Sequence, residues 1–375
     1  SGLFLAFCIY LVASRHVWRG VQWKVAWILA AALLFRLTLL PAEPSLSDDL
    51  YRYLWDGRVQ LAGINPFLHP PESEQLLSLR NELWDQINHK DISTIYPPLS
   101  QILFRLTCAV SPTVFMMKVI FTAFDCAIIL LLATILRSRN EDPRRVLLYA
   151  WNPLPIVEVA GSGHLDTFGV FLLLSSLYFL IRRQRAAAAW TLAGAFMAKL
   201  LPILVLPILW RDADSRWSEW KARLPLLWFP VGAGVALLLF ADAGRDILAG
   251  LQIFLAKWRF NDAVFSVLYA AIKDPGLNPD DAGLYDAKLL SAGLLVVVVS
   301  WALVFHRDSF RAAATILGAN LLLSPVLHPW YMLWVLPFQV FFPVPAWTFL
   351  SAAVFLSYNA IAVYSSTGVW VEYVW

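Results

Sequence analysis

Long apolar runs separated by short polar segments make up most of the chain. The runs expected to cross or enter a membrane, where a helical span needs about 20 residues, are residues 3–13, 25–41, 98–111, 113–136, 146–160, 167–181, 186–210, 224–241, 289–305, 311–326, 331–344 and 346–364. Proline interrupts several runs, notably 98–111 and 186–210, which favours re-entrant or interfacial segments there. The pattern predicts an all-α polytopic membrane protein with about 10–12 transmembrane or re-entrant helices.

The composition favours the same class. Of the 375 residues, 59% are hydrophobic and only 15% are charged, which is typical of α-helical membrane proteins. The 18 Trp and 12 Tyr residues fit aromatic belts at two membrane surfaces, and a net charge of +3 indicates no nucleic-acid partner. Cys8, Cys108 and Cys126 have no spacing that predicts disulfides or a zinc site. Residues 3–13 lack the cleavage pattern of a signal peptide, so we interpret them as part of a first helix.

Charge separates the loops into two groups. Short loops hold 16 of the 29 Lys and Arg residues, namely Arg15, Arg19, Lys24, Arg137, Arg139, Arg144, Arg145, Arg182, Arg183, Arg185, Arg211, Arg216, Lys221, Arg223, Arg307 and Arg311. Two long loops, 42–97 and 242–288, are acidic, with nine carboxylates against four bases and seven against five. The positive-inside rule then predicts cytoplasmic short loops and non-cytoplasmic long loops, the latter carrying short amphipathic helices. This alternation requires that 98–111 does not cross completely and that 186–210 folds as a hairpin.

The unusual polar motifs fall on the predicted non-cytoplasmic side, although they are far apart in the sequence. They are SDDLYRYLWDGRVQLAGINPF (47–67), STIYPPLSQ (93–101), GSGHLD (161–166), the bend around Lys199, KWRFND (257–262) and SPVLHPWY (324–331). We therefore expect them to share one face of the protein.

The first motif places adjacent carboxylates where an apolar run ends. One interpretation is structural, because Ser47 or Asp48 would cap the following helix and acids are favoured in its first turn. The helical register predicts a single face that holds Asp49, Arg52, Tyr53 and Asp56. Asp48–Arg52 and Arg52–Asp56 are also i, i+4 pairs. Arg52 would then hold one carboxylate while another remains available as a general base.

Lys199 lies inside the apolar stretch GAFMAKLLPILVLP. A charge in mid-helix costs about 2.5–3.5 kcal/mol on insertion scales. Snorkelling to a nearby interface is one interpretation, and binding of a phosphate at the bilayer surface is the other. Pro202 and Pro207 fit a broken hairpin that would bring Lys199 to the outer face.

The remaining candidates are His164, Asp166, His328, Arg259 and Asn261. Each histidine has a structural interpretation as well as a functional one, and KWRFND also fits an amphipathic interfacial helix. The chain has no HExxH-like spacing, which argues against zinc, and no GxGxxG or P-loop, so a bound nucleotide is not indicated.

Taken in order, the acidic pair, YRYLWDG…G…NP, YPPL, GHLD, K-x-x-P and HPWY resemble the GT-C class of integral-membrane glycosyltransferases. The resemblance extends over about residues 25–340 and is strongest to bacterial polyprenol-phosphate-mannose-dependent mannosyltransferases, including mycobacterial phosphatidylinositol-mannoside enzymes. It implies a GT-C-like helical bundle, formed by residues 1–375 as a single integral-membrane catalytic domain. Residues 42–97 would be the first large outer loop, which carries the catalytic aspartate pair, and residues 242–288 the second.

The resemblance also implies roles for individual residues. Matching DLYRY to the pattern of this branch makes Asp49 the base, whereas the Asp-Glu pair of the wider class would select Asp48. The donor phosphate would be bound by Lys199, His328 and Arg259. The cavity would be lined by Arg52, Tyr53, Asp56, Tyr96, His164, Asp166, Asn261, Trp330 and Tyr331.

The implied reaction is an inverting transfer of one sugar, expected to be mannose, from a polyprenyl-phosphate donor to an acceptor hydroxyl. No metal or other cofactor is expected, and the acceptor is a lipid, a glycan or a protein. The expected location is the bacterial inner membrane, with the active site on the periplasmic side and a role in glycolipid and cell-envelope synthesis. A transporter or flippase for a lipid-linked sugar is the alternative, because transporters also place charges and broken helices along a substrate path.

Overall fold

The computed structural model of the chain describes residues 2–212, 220–272 and 283–368. Arg216 of the predicted basic loops and residues 273–282 of the second long loop lie outside these ranges. Within them the fold is all-helical, as predicted, and the only extended pairing is a single bridge between Phe260 and Val326.

The helices have the following bounds. The α-helices are α1 (Gly2–Trp18), α2 (Val25–Leu39), α3 (Asp49–Leu61), α4 (Glu82–Asp85), α5 (Pro98–Val110), α6 (Val114–Ser138), α7 (Leu147–Ala150), α8 (Pro153–Pro155), α9 (Asp166–Ile181), α10 (Arg185–Ala198), α11 (Leu206–Arg211), α12 (Trp228–Leu238), α13 (Ala249–Lys257), α14 (Ala263–Ile272), α15 (Leu284–Phe305), α16 (Ser309–Leu323), α17 (Pro345–Ala353) and α18 (Tyr358–Thr367). The 3₁₀ helices are Glu74–Leu79, Pro143–Val146, Leu201–Val205, Trp220–Leu227, Ala241–Leu248, Pro329–Trp334, Leu336–Val340 and Val354–Ser357, and a π-helical turn covers Ile156–Gly161.

Three helical segments are long and apolar enough to cross a membrane: Val114–Ser138, Leu284–Phe305 and Pro345–Tyr364. A fourth results if Arg223–Leu238 and Ala241–Lys257, which are bent by 105° at their junction, form one broken span. Shorter apolar helices of 10–17 residues include α1, α2, α5, α9 and α16. The protein thus has the helices of a membrane protein, and the larger predicted number of spans stays a prediction.

Two predicted runs differ from single helices. Residues 146–160 form α7, α8 and most of the π-helical turn, and residues 331–344 consist mainly of 3₁₀ turns. Prolines explain the breaks, because each lacks the N–H that a continuous helix requires. Most of both segments is buried, as irregular backbone in a membrane protein must be. The predicted partial crossing at 98–111 is the 13-residue helix α5, which is only about 20 Å long.

Polar contacts join the short basic loops at one end of the molecule. They are an ion pair of Arg139 with Asp308 (2.7 Å), a hydrogen bond from Ser309 to Asp212, and a hydrogen bond from Arg144 to the Val21 carbonyl (2.9 Å). We call residues 14–24, 137–145, 211–212 and 306–311 the basic end.

Three helices connect the basic end with the opposite end. Their termini are Asp166 and Ile181 for α9, Arg185 and Ala198 for α10, and Ser309 and Leu323 for α16. The 16 residues of α9 span roughly 24 Å. Asp166, Lys199 and Ser324 therefore come together at the end far from the basic loops.

Lys199 is the turning point of the hairpin predicted at 186–210. The helix α10 stops at Ala198, and Lys199 has an extended backbone with φ −155° and ψ 135°. Pro202 and Pro207 each lie in the first turn of a new helix, where a missing N–H removes no hydrogen bond. The chain then returns to the basic end, where Arg211 donates to the Leu303 carbonyl at 3.2 Å.

A fully buried ion pair links α2 and α6. Arg36 Nε lies 2.6 Å from Asp125 Oδ2, and both side chains are 0% exposed. The Tyr149 hydroxyl donates to the other Asp125 oxygen at 2.6 Å, and Arg36 also donates to the carbonyls of Ala32 and Ala150. We call Arg36 and Asp125 the core pair.

Candidate active site

A cavity of about 1240 Å³ lies at the end opposite the basic loops. The predicted site residues that line it are Asp48, Asp49, Arg52, Tyr53, Tyr96, Asp166, Lys199, Arg259, His328, Trp330 and Tyr331. Asp56, His164 and Asn261 do not line this cavity but contact residues near its wall. The structure thus brings together segments that are separated by up to about 280 residues.

Asp49 occupies the first turn of α3, with its side chain 25% exposed. The Ser47 hydroxyl accepts the Asp49 N–H at 3.3 Å. The N-cap residue of the helix is Asp48, and its side chain forms no capping hydrogen bond. Burial and the neighbouring Asp48 carboxylate raise the pKa of Asp49 to about 7. Such a carboxylate is suited to accept a proton near neutral pH.

Asp48 has a different environment. Its Oδ1 accepts a hydrogen bond of 2.6 Å from the Asn88 amide, which ties the start of α3 to the other side of the first long loop. Burial raises the pKa of Asp48 as well, and His89 opposes this shift. Asp48 therefore has an anchoring contact in addition to its place on the cavity wall.

Of its two predicted partners, Asp48 and Asp56, Arg52 pairs with Asp56. Arg52 Nε lies 2.9 Å from Asp56 Oδ1, and its Nη2 donates to the Ile92 carbonyl at 2.9 Å. The second oxygen of Asp56 accepts from the Gln101 amide at 2.9 Å. In the described residues Arg52 forms no salt bridge with Asp48. Asp56 is thus a buried brace of the loop and Asp49 is the carboxylate left open to the cavity.

Lys199 forms an ion pair with Asp166 Oδ1, which also accepts a hydrogen bond of 2.6 Å from the Trp334 indole. The ammonium lies 4.3 Å from the centre of the Tyr331 ring, in a cation–π contact. Asp166 is 1% exposed, whereas the Lys199 side chain is 25% exposed and lines the cavity. An ammonium has three donors, so Lys199 retains capacity to bind an anion from the cavity. We call Lys199 and Asp166 the cavity pair.

Four rings form a continuous stack beside the cavity pair. His328 stacks on Trp330 with ring centres 4.4 Å apart and on Phe260 at 4.8 Å. The other face of Trp330 stacks on His164 at 3.8 Å. Burial and the Lys199 charge lower the pKa of His328 to about 3, so the ring is neutral and presents one N–H donor.

Arg259 lies after α13 in a non-helical segment, which corrects the amphipathic-helix interpretation of KWRFND. The segment is held by main-chain hydrogen bonds from Phe260 to Pro325 (3.0 Å) and from Leu327 to Phe260 (2.8 Å). Arg259 Nε pairs with Asp262 at 2.8 Å. Asn261 donates to the Leu327 carbonyl at 3.2 Å, so its amide joins the two segments away from the cavity lining.

Glu158, Tyr358 and Trp334 were not among the predicted site residues. Trp334 and Tyr358 line the cavity, and Tyr358 donates to the fully buried Glu158 at 2.8 Å. Glu158 is the only charged residue in the apolar run 146–160, and a charge in such a run is a functional signal by default. Among the described residues, no three His, Cys, Asp or Glu side chains are grouped to hold a metal ion.

The fold and the cavity define an all-helical membrane protein whose site combines open carboxylates with cations. A model of the alpha-(1->6)-mannopyranosyltransferase N-terminal domain, the MptA_B family, matches residues 1–211. This match covers more than half of the 375 residues, and the chain belongs to this family. The protein is therefore a glycosyltransferase of a mannosyltransferase family, as the GT-C resemblance implied, and nothing favours the flippase alternative. Comparisons with curated proteins and with solved structures gave no match.

Proposed function

We propose that the protein transfers mannose from a polyprenyl-phosphate donor to an acceptor hydroxyl with inversion of the anomeric centre. The observation that carries this proposal is a single cavity lined by both Asp49 and Lys199. An inverting transfer needs a base on one side of the anomeric carbon and a site for the leaving phosphate on the other. The family name specifies an α-(1→6) product, so inversion implies a β-linked donor.

Asp49 is the proposed base. It would accept the proton of the acceptor hydroxyl as the oxygen attacks the anomeric carbon, and its pKa of about 7 matches this task. Asp48 is the second candidate, and its hydrogen bond with Asn88 gives it an anchoring role in the first long loop.

Lys199, His328 and Arg259 are the proposed ligands of the donor phosphate. Negative charge accumulates on the phosphate as its bond to the sugar breaks, and fixed cations and N–H donors stabilise it. Lys199 is held in place by Asp166, and Arg259 by Asp262, so both cations are oriented before substrate binds.

The remaining cavity wall suits a sugar attached to a lipid. Tyr53, Tyr96, Trp330 and Tyr331 supply aromatic surface for the sugar, and Asp166 lines the same cavity. An apolar part of the wall is formed by Leu200, Leu201, Leu251, Phe254 and Leu255, where the first isoprene units would pack. The acceptor is a hydroxyl of a lipid or a glycan.

The proposed location is the bacterial inner membrane, with the cavity facing the periplasm. The basic loops lie at the end opposite the cavity, and loops rich in Lys and Arg remain in the cytoplasm. Accessibility labelling of single cysteines at residues 90 and 307 in intact cells tests this orientation. Only the first should react with an impermeant maleimide.

The reaction is tested with purified protein in detergent, a synthetic β-linked polyprenyl-phosphate mannose and a mannoside acceptor. We expect a product with an α-(1→6) linkage, identified by NMR, and no product from GDP-mannose. Transfer from GDP-mannose alone, or a β-linked product, would contradict the proposal.

A further inference from the structure

His164 is buried, yet it lacks hydrogen-bond partners in the part of the chain that the structure describes. It is 1% exposed, and neither Nδ1 nor Nε2 forms a hydrogen bond. An unsatisfied buried polar group destabilises the folded protein, and each such group in a native protein needs an explanation.

The two nitrogens face two different carboxyl groups. Nδ1 of His164 lies 3.7 Å from Asp49 Oδ2, and Nε2 lies 3.4 Å from Glu158 Oε2. The stack on Trp330, with an interplanar angle of 15°, limits the ring to motion within its own plane. Small movements of the two carboxyl groups towards the ring would bring both nitrogens into hydrogen bonds, and such bonds often shorten only when substrate binds.

The turn before His164 is built to place this ring. Gly163 has φ +79°, and a Cβ at this position would collide with the Leu50 side chain on α3. Glycine therefore allows the GSGHLD turn to lie directly against the helix that carries Asp49.

Glu158 lies in the π-helical turn Ile156–Gly161 and is 0% exposed. Its two oxygens accept the Tyr358 hydroxyl at 3.0 and 2.8 Å. No Lys or Arg among the described residues forms a salt bridge with Glu158. A buried carboxyl group without a cation is favoured in its neutral form, and a neutral acid carries one O–H donor.

We propose that Glu158 and His164 are positioning residues for Asp49, and this inference rests on the proposed function. The neutral Glu158 acid donates its O–H to Nε2 of His164, which places the imidazole proton on Nδ1. The Nδ1–H then donates to Oδ2 of Asp49 and leaves Oδ1 to accept the proton of the acceptor hydroxyl. No proton leaves Glu158 or His164 in this step.

The electrostatics of His164 agree with this arrangement. Burial, together with the charge of Lys199, lowers the pKa of His164 well below its ordinary value. The ring is therefore neutral, with one donor and one acceptor, and the partner of one nitrogen determines which atom carries the proton. A donor aimed at Asp49 favours its ionised form and lowers its pKa.

Several groups act on Asp49 at the same time and determine its pH dependence. Those facing it are Asp48, Tyr53, Tyr96, His164, Asp166, Lys199, Tyr331 and Tyr358. The experiment therefore changes only Glu158 or His164 and measures the pH at which activity is half-maximal.

The test compares Glu158→Gln with Glu158→Leu in the transferase assay. The Gln amide donates to Nε2 as the neutral acid does, so we expect a kcat/KM within about threefold of the parent and an unchanged acidic midpoint. Leu removes the donor, and we expect the midpoint to rise by about one pH unit, which lowers kcat/KM about tenfold below the midpoint. Equal losses in both variants, or an unchanged profile for Glu158→Leu, would overturn the proposal.

Two variants of His164 provide a second test if Glu158→Leu does not fold. The amide nitrogen of His164→Asn replaces Nδ1 and keeps a donor near Asp49, whereas that of His164→Gln replaces Nε2. The Asn variant should keep the parent midpoint and the Gln variant should show the higher one, and equal midpoints would contradict the inference. Glu74→Gln, at an exposed position, is the matched control for the purified preparations.

A failure of this inference is distinguishable from a failure of the proposed function. If the parent protein is inactive with the polyprenyl-phosphate donor, the proposed function fails. If the parent is active and Asp49→Asn is fully active, the assignment of Asp49 as the base fails. If the parent is active and Asp49→Asn is not, the Glu158 and His164 variants test the positioning role alone.

Discussion

The core pair and the cavity pair are both buried ion pairs, but they differ in what surrounds the cation. Arg36 and Asp125 are each 0% exposed, and Tyr149 and two carbonyls take up further hydrogen bonds. In the cavity pair only Asp166 is sealed, and Lys199 faces the cavity. The fold thus places one pair away from the cavity and the other on the cavity wall.

The choice of cation fits this difference. A guanidinium has a planar fork of donors that fixed carbonyls and carboxylates can occupy, as they do around Arg36. An ammonium is a compact charge with donors in several directions, so Lys199 is able to bind Asp166 and a ligand together. Burial of an ion pair alone therefore does not identify a functional charged group. The two pairs are distinguished by whether the cation is exposed to the cavity.

The largest effect on activity is expected for Asp49→Asn, because this change removes the proposed general base. The core pair contains no group with such a role. Loss of a general base lowers kcat by about 10²–10⁴-fold. The change is isosteric, so the unfolding midpoint in detergent should stay near that of the parent. Full activity of this variant would show that Asp48 is the base or that the reaction needs no base.

Arg36→Met tests the core pair. Leaving Asp125 buried without its cation should lower the free energy of unfolding by about 3–5 kcal/mol. Replacing both partners, as Arg36→Met with Asp125→Leu, should recover much of this loss because no buried charge remains. Activity per folded molecule should be unchanged, and a specific catalytic defect would show that the two pairs are not separate in function.

Lys199→Met tests the cavity pair. Removing a group that stabilises the leaving phosphate should lower kcat by about 10²-fold. Lys199 also holds the pKa of Asp49 down, so the acidic midpoint of kcat/KM should move to higher pH. Asp166→Asn is the control, since it keeps the ammonium in the cavity and should lose less activity.

The smallest effect is expected for Asp48→Asn. The base must be ionised to act, so kcat/KM should rise with pH through about 7, the pKa of Asp49. The Asp48 charge raises that pKa, and its removal should move the midpoint to lower pH by less than about one unit. A midpoint that moves upward would contradict the assigned direction of this interaction.

Much of the architecture follows from the sequence. Hydrophobicity predicts the helices, and loop charge predicts that 186–210 is a hairpin with Lys199 at its turn, because both depend on local composition. The i, i+4 brace between Arg52 and Asp56 follows from helical spacing alone. Loop charge predicts that the polar motifs share one face of the protein. Most of the predicted site residues do line one cavity.

Tertiary contacts were not predictable in the same way. The core pair joins residues 89 positions apart, and no local spacing indicates that two charges in separate apolar runs will meet. Glu158 and Tyr358 are 200 positions apart. His164 was assigned to the cavity lining, but the stack on Trp330 holds it behind that wall, and the contacts of Arg259 required the pairing of two distant loops.

That pairing has a consequence for how the cavity responds to its ligand. Two main-chain hydrogen bonds couple the strand-like segment of Arg259 to the segment of His328. The two backbone segments therefore move together, so the two proposed ligands of the phosphate would engage and release as one unit. Ligand release should accordingly follow the opening of the whole pair of segments, with a single rate detectable from either position.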